Sequence, residues 1–147
     1  MGARYTTSKA GIAMVVGNDL LTITAPATRA IKIWAIRLYA EGTVSAANRL
    51  TLARSTGGAT PVAGTSVPKA TLSPAAGAAI ATGWTTQPTL GVIVHRFGIN
   101  SNGAIMPFVA VPGMGNEIEI PPSGQISLRS ESGTGIVTPE IEYEEIG

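Results

Sequence analysis

The sequence predicts an all-β protein: a single-domain antiparallel β-sandwich, jelly-roll-like, with an N-terminal arm and one long irregular loop. Three observations lead there. Eight or nine short runs alternate apolar and polar residues at regular spacing, the pattern of strands with one face buried. Between them lie clusters of Gly, Pro, Asn and Ser, including Gly17-Asn18-Asp19, Asn100-Ser101-Asn102-Gly103, Pro121-Pro122-Ser123-Gly124 and Ser132-Gly133-Thr134-Gly135, residues that set turn dihedrals or tolerate positive φ. The 18 Gly and 10 Pro among 147 residues favour many short strands over long helices. This length suits one domain.

Residues 1–10 (MGARYTTSKA) are polar and without periodicity, so they are read as an arm that orders only on a partner; residues 11–147 form the domain. Residues 12–16 are a short strand, and residues 20–25 a second, with Leu21, Ile23 and Ala25 alternating against Thr22 and Thr24 until Pro26. Residues 30–42 (AIKIWAIRLYAEG) carry the strongest strand signal. Ile31 and Ile33 share one parity, and Ile36, Leu38 and Ala40 the other. One flat strand cannot bury both sets on one face. Either a bulge near Trp34 and Ala35 restores the inward face, or the strand is buried on both faces at its middle.

Residues 49–54 form the next strand. Residues 55–88 are the longest irregular stretch, of the kind that is usually functional or interfacial. Ser73 and Pro74, ahead of an Ala-rich run to Ala81, predict one short helix by cap and first-turn preference. Residues 90–97 are a strand with both faces fairly apolar. Asn102-Gly103 predicts a hairpin into residues 105–111, where Pro107 marks an edge or bulge. After a turn at residues 113–116, strands follow at residues 117–120, 125–130 and 136–146.

The surface is neutral in composition: 13% of residues are charged, against about 25% in typical chains. The charge is unevenly placed. Residues 1–74 hold eight Lys or Arg and two acids; residues 75–147 hold two Arg and seven Glu. Early and late strands lying side by side would neutralise each other. The basic residues are single and scattered, which disfavours nucleic acid. No run approaches the roughly 18 apolar residues of a membrane helix, so no membrane association is expected. There is no Cys, hence no thiolate nucleophile and no zinc–thiolate site. The opening MGARYT fits the N-myristoylation pattern, a short one that is frequent by chance.

The chemical equipment is sparse. His95 is the only His and Asp19 the only Asp. A cupin-like metal site needs several imidazoles, and no nucleophile-elbow sequence accompanies the pair. Glu117 and Glu119 sit about 7 Å apart on one strand face, as do Glu140, Glu142 and Glu144, a spacing superficially suited to glycoside hydrolysis. Alternate Glu against alternate Ile is better explained as a solvent-facing strand face that also guards an edge. Calcium would want an Asp/Asn-rich loop that is missing. Neither an enzyme nor a cofactor is expected. Trp34 or Trp84 could stack a sugar, and Trp84, inside the long excursion, is the better exposed anchor.

The segment IKIWAIRLYAEG following LLTITAP, the GWTT segment ahead of LGVIVHRFGIN, and the ending EIEIPPSGQISLRSESGTGIVTPEIEYEEIG give the chain, from Leu20 onward, a pattern that resembles small bacteriophage virion proteins. The resemblance implies a jelly-roll capsid decoration (cement) protein, on the outer surface of the capsid, bound to the major capsid protein and to itself as a homotrimer. Residues 1–10 and 55–88 would supply the contacts, with Arg4, Tyr5, Lys9 and Trp84 as interface residues. The alternatives are another phage structural role, in the tail, neck or a head fibre, and a carbohydrate-binding module.

Overall fold

Two antiparallel sheets pack face to face in the computed structural model of the protein, which describes residues 2–43, 45–103, 105–110 and 115–147, without the side chains of residues 105 and 106. The first sheet runs in the order β10 (Ile105–Val109), β4 (Ala30–Ala40), β13 (Ile136–Ile146), β1 (Ala3–Ser8), β7 (Ser66–Pro68). Two short strands flank it: β11 (Ile118–Ile120) continues the line of β10 along β4, and β2 (Ile12–Ala13) lies beside β13. The second sheet is ordered β6 (Val62–Ala63), β8 (Ala79–Thr82), β3 (Asp19–Thr24), β12 (Gln125–Ser132), β5 (Ala47–Thr56), β9 (Thr89–Asn100). Taking β1, β3, β4, β5, β9, β10/β11, β12 and β13 as eight main strands, the first sheet reads sixth, third, eighth, first and the second reads second, seventh, fourth, fifth. That is jelly-roll connectivity.

The core lies between the sheets. Ile31, Ile33, Ile36 and Leu38 from β4 meet Leu21 and Ile23 from β3, Leu50 and Leu52 from β5, and Ile126 and Leu128 from β12. The opposite parities within β4 are reconciled by a bulge. Ala35 lies opposite Glu142 of β13 and Ile33 opposite Tyr143, leaving Trp34 as the extra residue. On the other side of β4 the same point falls between β10 and β11, and the Trp34 carbonyl accepts the Ala110 amide at 2.8 Å. Of the two readings, the bulge holds.

Four expectations are corrected. Residues 1–10 are not a loose arm: β1 is an inner strand, paired with β13 on one side and β7 on the other. Its alternation is hidden because the inward positions are Tyr5 and Thr7, polar in name but buried. The 55–88 excursion is not irregular throughout. It leaves β5, crosses to the far side of the sandwich, adds β7 to the first sheet and β6 and β8 to the second, then returns to β9. No helix occurs at Ser73 or elsewhere among the described residues. The Ala-rich run is held extended by Glu145, whose Oε1 accepts the amides of Gly77 and Ala78 at 2.7 and 2.8 Å. Finally, Asn100–Gly103 does not make a hairpin of paired strands. The turn forms, with Gly103 at φ 65°, but it carries the chain from the second sheet to the first. Val111 and the first part of the 113–116 turn lie outside the described residues.

Charge neutralisation between early and late strands is observed as expected. Arg37 stands directly opposite Glu140, with Nη1 to Oε1 at 2.8 Å, and also reaches Glu142 at 3.7 Å. Lys69 reaches Glu142 at 2.8 Å and Arg29 reaches the buried Glu145 at 3.1 Å.

Two outcomes follow from this architecture. Deleting residues 2–8 removes an inner strand and opens the core, so the truncated chain should lose its cooperative urea transition; a truncation with the full-length midpoint would refute the placement of β1. Thr51 is buried and its hydroxyl has no partner. An unsatisfied buried hydroxyl costs about 1–3 kcal/mol, so Thr51→Val should raise stability by about 1 kcal/mol, read from the urea midpoint.

Candidate assembly face

The two outer faces of the sandwich differ. That of the second sheet is covered by the strap, residues 57–88. Thr22 and Ser127 point away from the core yet are fully buried. The Trp84 indole N–H donates to Thr22 Oγ1 at 3.0 Å, and Ser127 passes its hydroxyl hydrogen to Ser55 at 2.8 Å. Asp19 anchors the strap's return: its amide donates to Gln87 Oε1 at 2.8 Å, while its carboxylate takes the Arg129 Nε–H and the Thr22 hydroxyl. Arg129 in turn donates to the Pro88 carbonyl at 2.6 Å. The Trp84 ring lies on Gly58, where a Cβ would come within 2.6 Å of it and where φ is +100°, so only Gly serves.

Among the described residues, none covers the first sheet in this way. Side chains from β1, β4, β7, β10, β11 and β13 stand on its outer face. Trp34, displaced outward by the bulge, is at the centre. Its indole N–H donates to Glu144 Oε2 at 3.1 Å, and the Arg4 guanidinium lies 4.5 Å from the ring centroid, a cation–π contact. The other Glu144 oxygen accepts the Gly2 amide at 2.7 Å. A shallow hollow of about 220 Å³ beside Trp34 is lined by Arg4, Ala35, Arg37, Val109, Ala110 and Glu142. Val109 and Val67 are 59% and 63% exposed. The charges are interleaved. Arg4, Lys32, Arg37 and Lys69 stand against Glu119, Glu140, Glu142 and Glu144, by register or by ion pair. Four cations and four carboxylates cancel.

Of the residues expected at an interface, Arg4 belongs to this face. Tyr5 does not: it is fully buried, stacked on Tyr143 at 5.5 Å between centroids, with its hydroxyl donating to the Pro74 carbonyl at 3.0 Å. Lys9 is exposed after β1 and stands apart from the Trp34 hollow. Trp84 is half-buried and serves the strap rather than solvent. Both indoles therefore have their N–H groups engaged and one ring face in contact. The carboxylates Glu140, Glu142 and Glu144 pair with Arg37, Lys69 and Trp34. Glu119 lies opposite Lys32, and Glu117 has a partner within the protein. His95 packs edge-on to Phe97 at 4.6 Å and against Phe108 at 5.3 Å. Among the described residues no three His, Cys, Asp or Glu side chains gather as a metal site would need. Sequence reading missed Glu145 and the Asp19–Arg129 pair, because burial of a charge is set by the strap and leaves no local signature. It also missed the centrality of Trp34, for which the parity break at residues 33–36 was the available signal.

The buried tyrosine pair gives a pH dependence. Burial pushes the Tyr143 hydroxyl up to about 12, its hydrogen bond to Ser66 pulls the other way, and Glu145 and Tyr5 push further up; burial likewise raises Tyr5. A raised acid pKa contributes stability that is present below the unfolded value near 10 and lost as pH rises through the folded value. The urea midpoint should fall between pH 10 and 12, and Tyr143→Phe should flatten that fall; an unchanged slope in the variant would exclude Tyr143 as its source. Compared with protein families, curated proteins and solved structures, the chain matches none.

Proposed function

We propose that this chain is a non-enzymatic structural protein of a phage particle, a capsid decoration protein that binds the shell as a homo-oligomer, expected as a trimer. The observation that supports it is the uncovered outer face of the first sheet. This five-strand surface carries Trp34 with apolar residues beside it, and its charges cancel. Aromatic residues and arginine with little net charge are what protein–protein contacts are made of. Jelly rolls serve as capsid, lectin and cupin modules alike, so the fold is compatible with the reading without selecting it. The single His95 does not suit a cupin metal centre, and the engaged indoles do not suit a lectin. The pattern that segments covering most of the chain from Leu20 onward share with small phage virion proteins is what directs this reading to a phage particle rather than to another assembly.

The test has two parts. Light scattering should give three times the 15.0 kDa chain mass. Sedimentation with empty shells of the particle's major capsid protein should carry the protein down and raise the temperature at which the shells open. A protein that leaves the shells unbound and unchanged would overturn the decoration role.

A further inference from the structure

We propose that the occupant of the first sheet's outer face is a second copy of this chain, with Trp34 at the centre of the contact. This deepens the assembly reading above and rests on it for self-association alone.

Three observations lead to a second copy. The first is area. Strands about 4.8 Å apart with about 3.3 Å per residue, of which only β4 and β13 run to 11 residues, make a face of roughly 600 Å², which is the lower end of what each partner contributes to a specific interface. The second is charge. Lys32, Arg37, Glu140 and Glu142 alternate in sign across neighbouring strands, and the face is neutral as a whole. A polyanionic or polycationic partner gains nothing from it, whereas a nearly neutral surface of interleaved sign meets it without net repulsion. This chain, with net charge +1 and 13% charged residues, offers such a surface. The third is composition. Trp34, Arg4 and Arg37 are the residue types that anchor contacts, and Val67 and Val109 project beside them with most of their surface in water.

Exposed apolar side chains elsewhere do not make a comparable face. Leu72, at the tip of the strap, is 98% exposed but stands alone. The exposed Val92 and Ile93 lie on the edge strand β9, where two register shifts against β5 bend the edge away from further pairing.

The experiment is light scattering across a hundredfold range of concentration on the full chain and three variants, with urea midpoints measured alongside. Val67→Glu and Val109→Glu place a charge on the face at exposed positions; Leu72→Glu places one outside it. The expected result is assembly of the wild type and of Leu72→Glu, a single-chain mass for Val67→Glu and Val109→Glu, and similar midpoints for all. A second readout uses Trp84→Phe, in which the emission comes from Trp34 and should shift to shorter wavelength as concentration rises. Retention of the wild-type mass by both face variants would overturn the inference and leave shell decoration standing. A wild type that stays a single chain throughout would also overturn it, and the shell experiment would then judge the decoration role separately.

Discussion

The pairing of β13 with β4 and β1 is the constraint on which the rest of the structure depends. The last strand of the chain lies between the first and third main strands, in register with β4 over ten pairs and with β1 over six. The first sheet is therefore incomplete until the C-terminal residues are in place. Its closure is non-local throughout, which makes such folds slow to form. The pairing also determines where charge goes. An early half rich in Lys and Arg and a late half rich in Glu would each repel itself if kept apart; laid strand against strand they neutralise pair by pair. Individually such exposed pairs contribute about 0–1 kcal/mol. Their larger effect is on register, because a slip of one residue would turn Glu140 and Glu142 into the core and Ile141 and Tyr143 out of it.

The strap answers a different difficulty. A sandwich has two edges per sheet, and a free edge invites pairing with another chain. On the β1/β3 side the strap supplies the final strand to both sheets, β7 to one and β6 with β8 to the other, each too short to template a neighbour. Its attachments come from buried polar groups of the frame: Tyr5, Glu145, Asp19 and Arg129. Burying Asp19 and Glu145 is costly unless each charge is paired and its remaining lone pairs filled. Both are: Asp19 by Arg129 and Thr22, Glu145 by Arg29 and two strap amides. These groups stabilise the fold through the strap they fix, and their loss would release it.

What was legible in the sequence was whatever period two could carry. The strands at residues 20–25, 30–42, 49–54, 90–97 and 125–146 were recoverable because Leu, Ile and Val alternate with Thr, Ser, Arg and Glu. So was the break at Trp34, because a bulge leaves a parity error in the pattern. The strand β1 was not legible, since Tyr5 and Thr7 do not look like a core face until Tyr143 and the strap close over them. Nor were the strap's three short strands: β7 and β8 pair with partners some 60 residues away, and β6 pairs with β8. The helix expected at Ser73 followed local capping rules, and the two backbone hydrogen bonds to Glu145 overrode them, a tertiary contact outweighing a weak local preference.

The same reasoning explains why the two sheets present such different exteriors. Beneath the strap, outward positions of the second sheet include Thr22, Ser127 and Ser55, small hydroxyls that can be covered because they bond to one another and to Trp84. Outward positions of the first sheet are long charged side chains and an indole, which a covering segment would have to match charge for charge. Their mutual pairing lowers that cost for a partner that arrives later: the ion pairs are already formed, Arg4 already lies on Trp34, and Glu144 is already held by the indole and the Gly2 amide. A surface ordered in this way loses less conformational freedom on association than one whose long side chains move freely. The bulge that pushes Trp34 outward thus performs two tasks with one extra residue, since it brings the two halves of β4 onto a common core and sets the largest side chain of the strand at the middle of the exposed face.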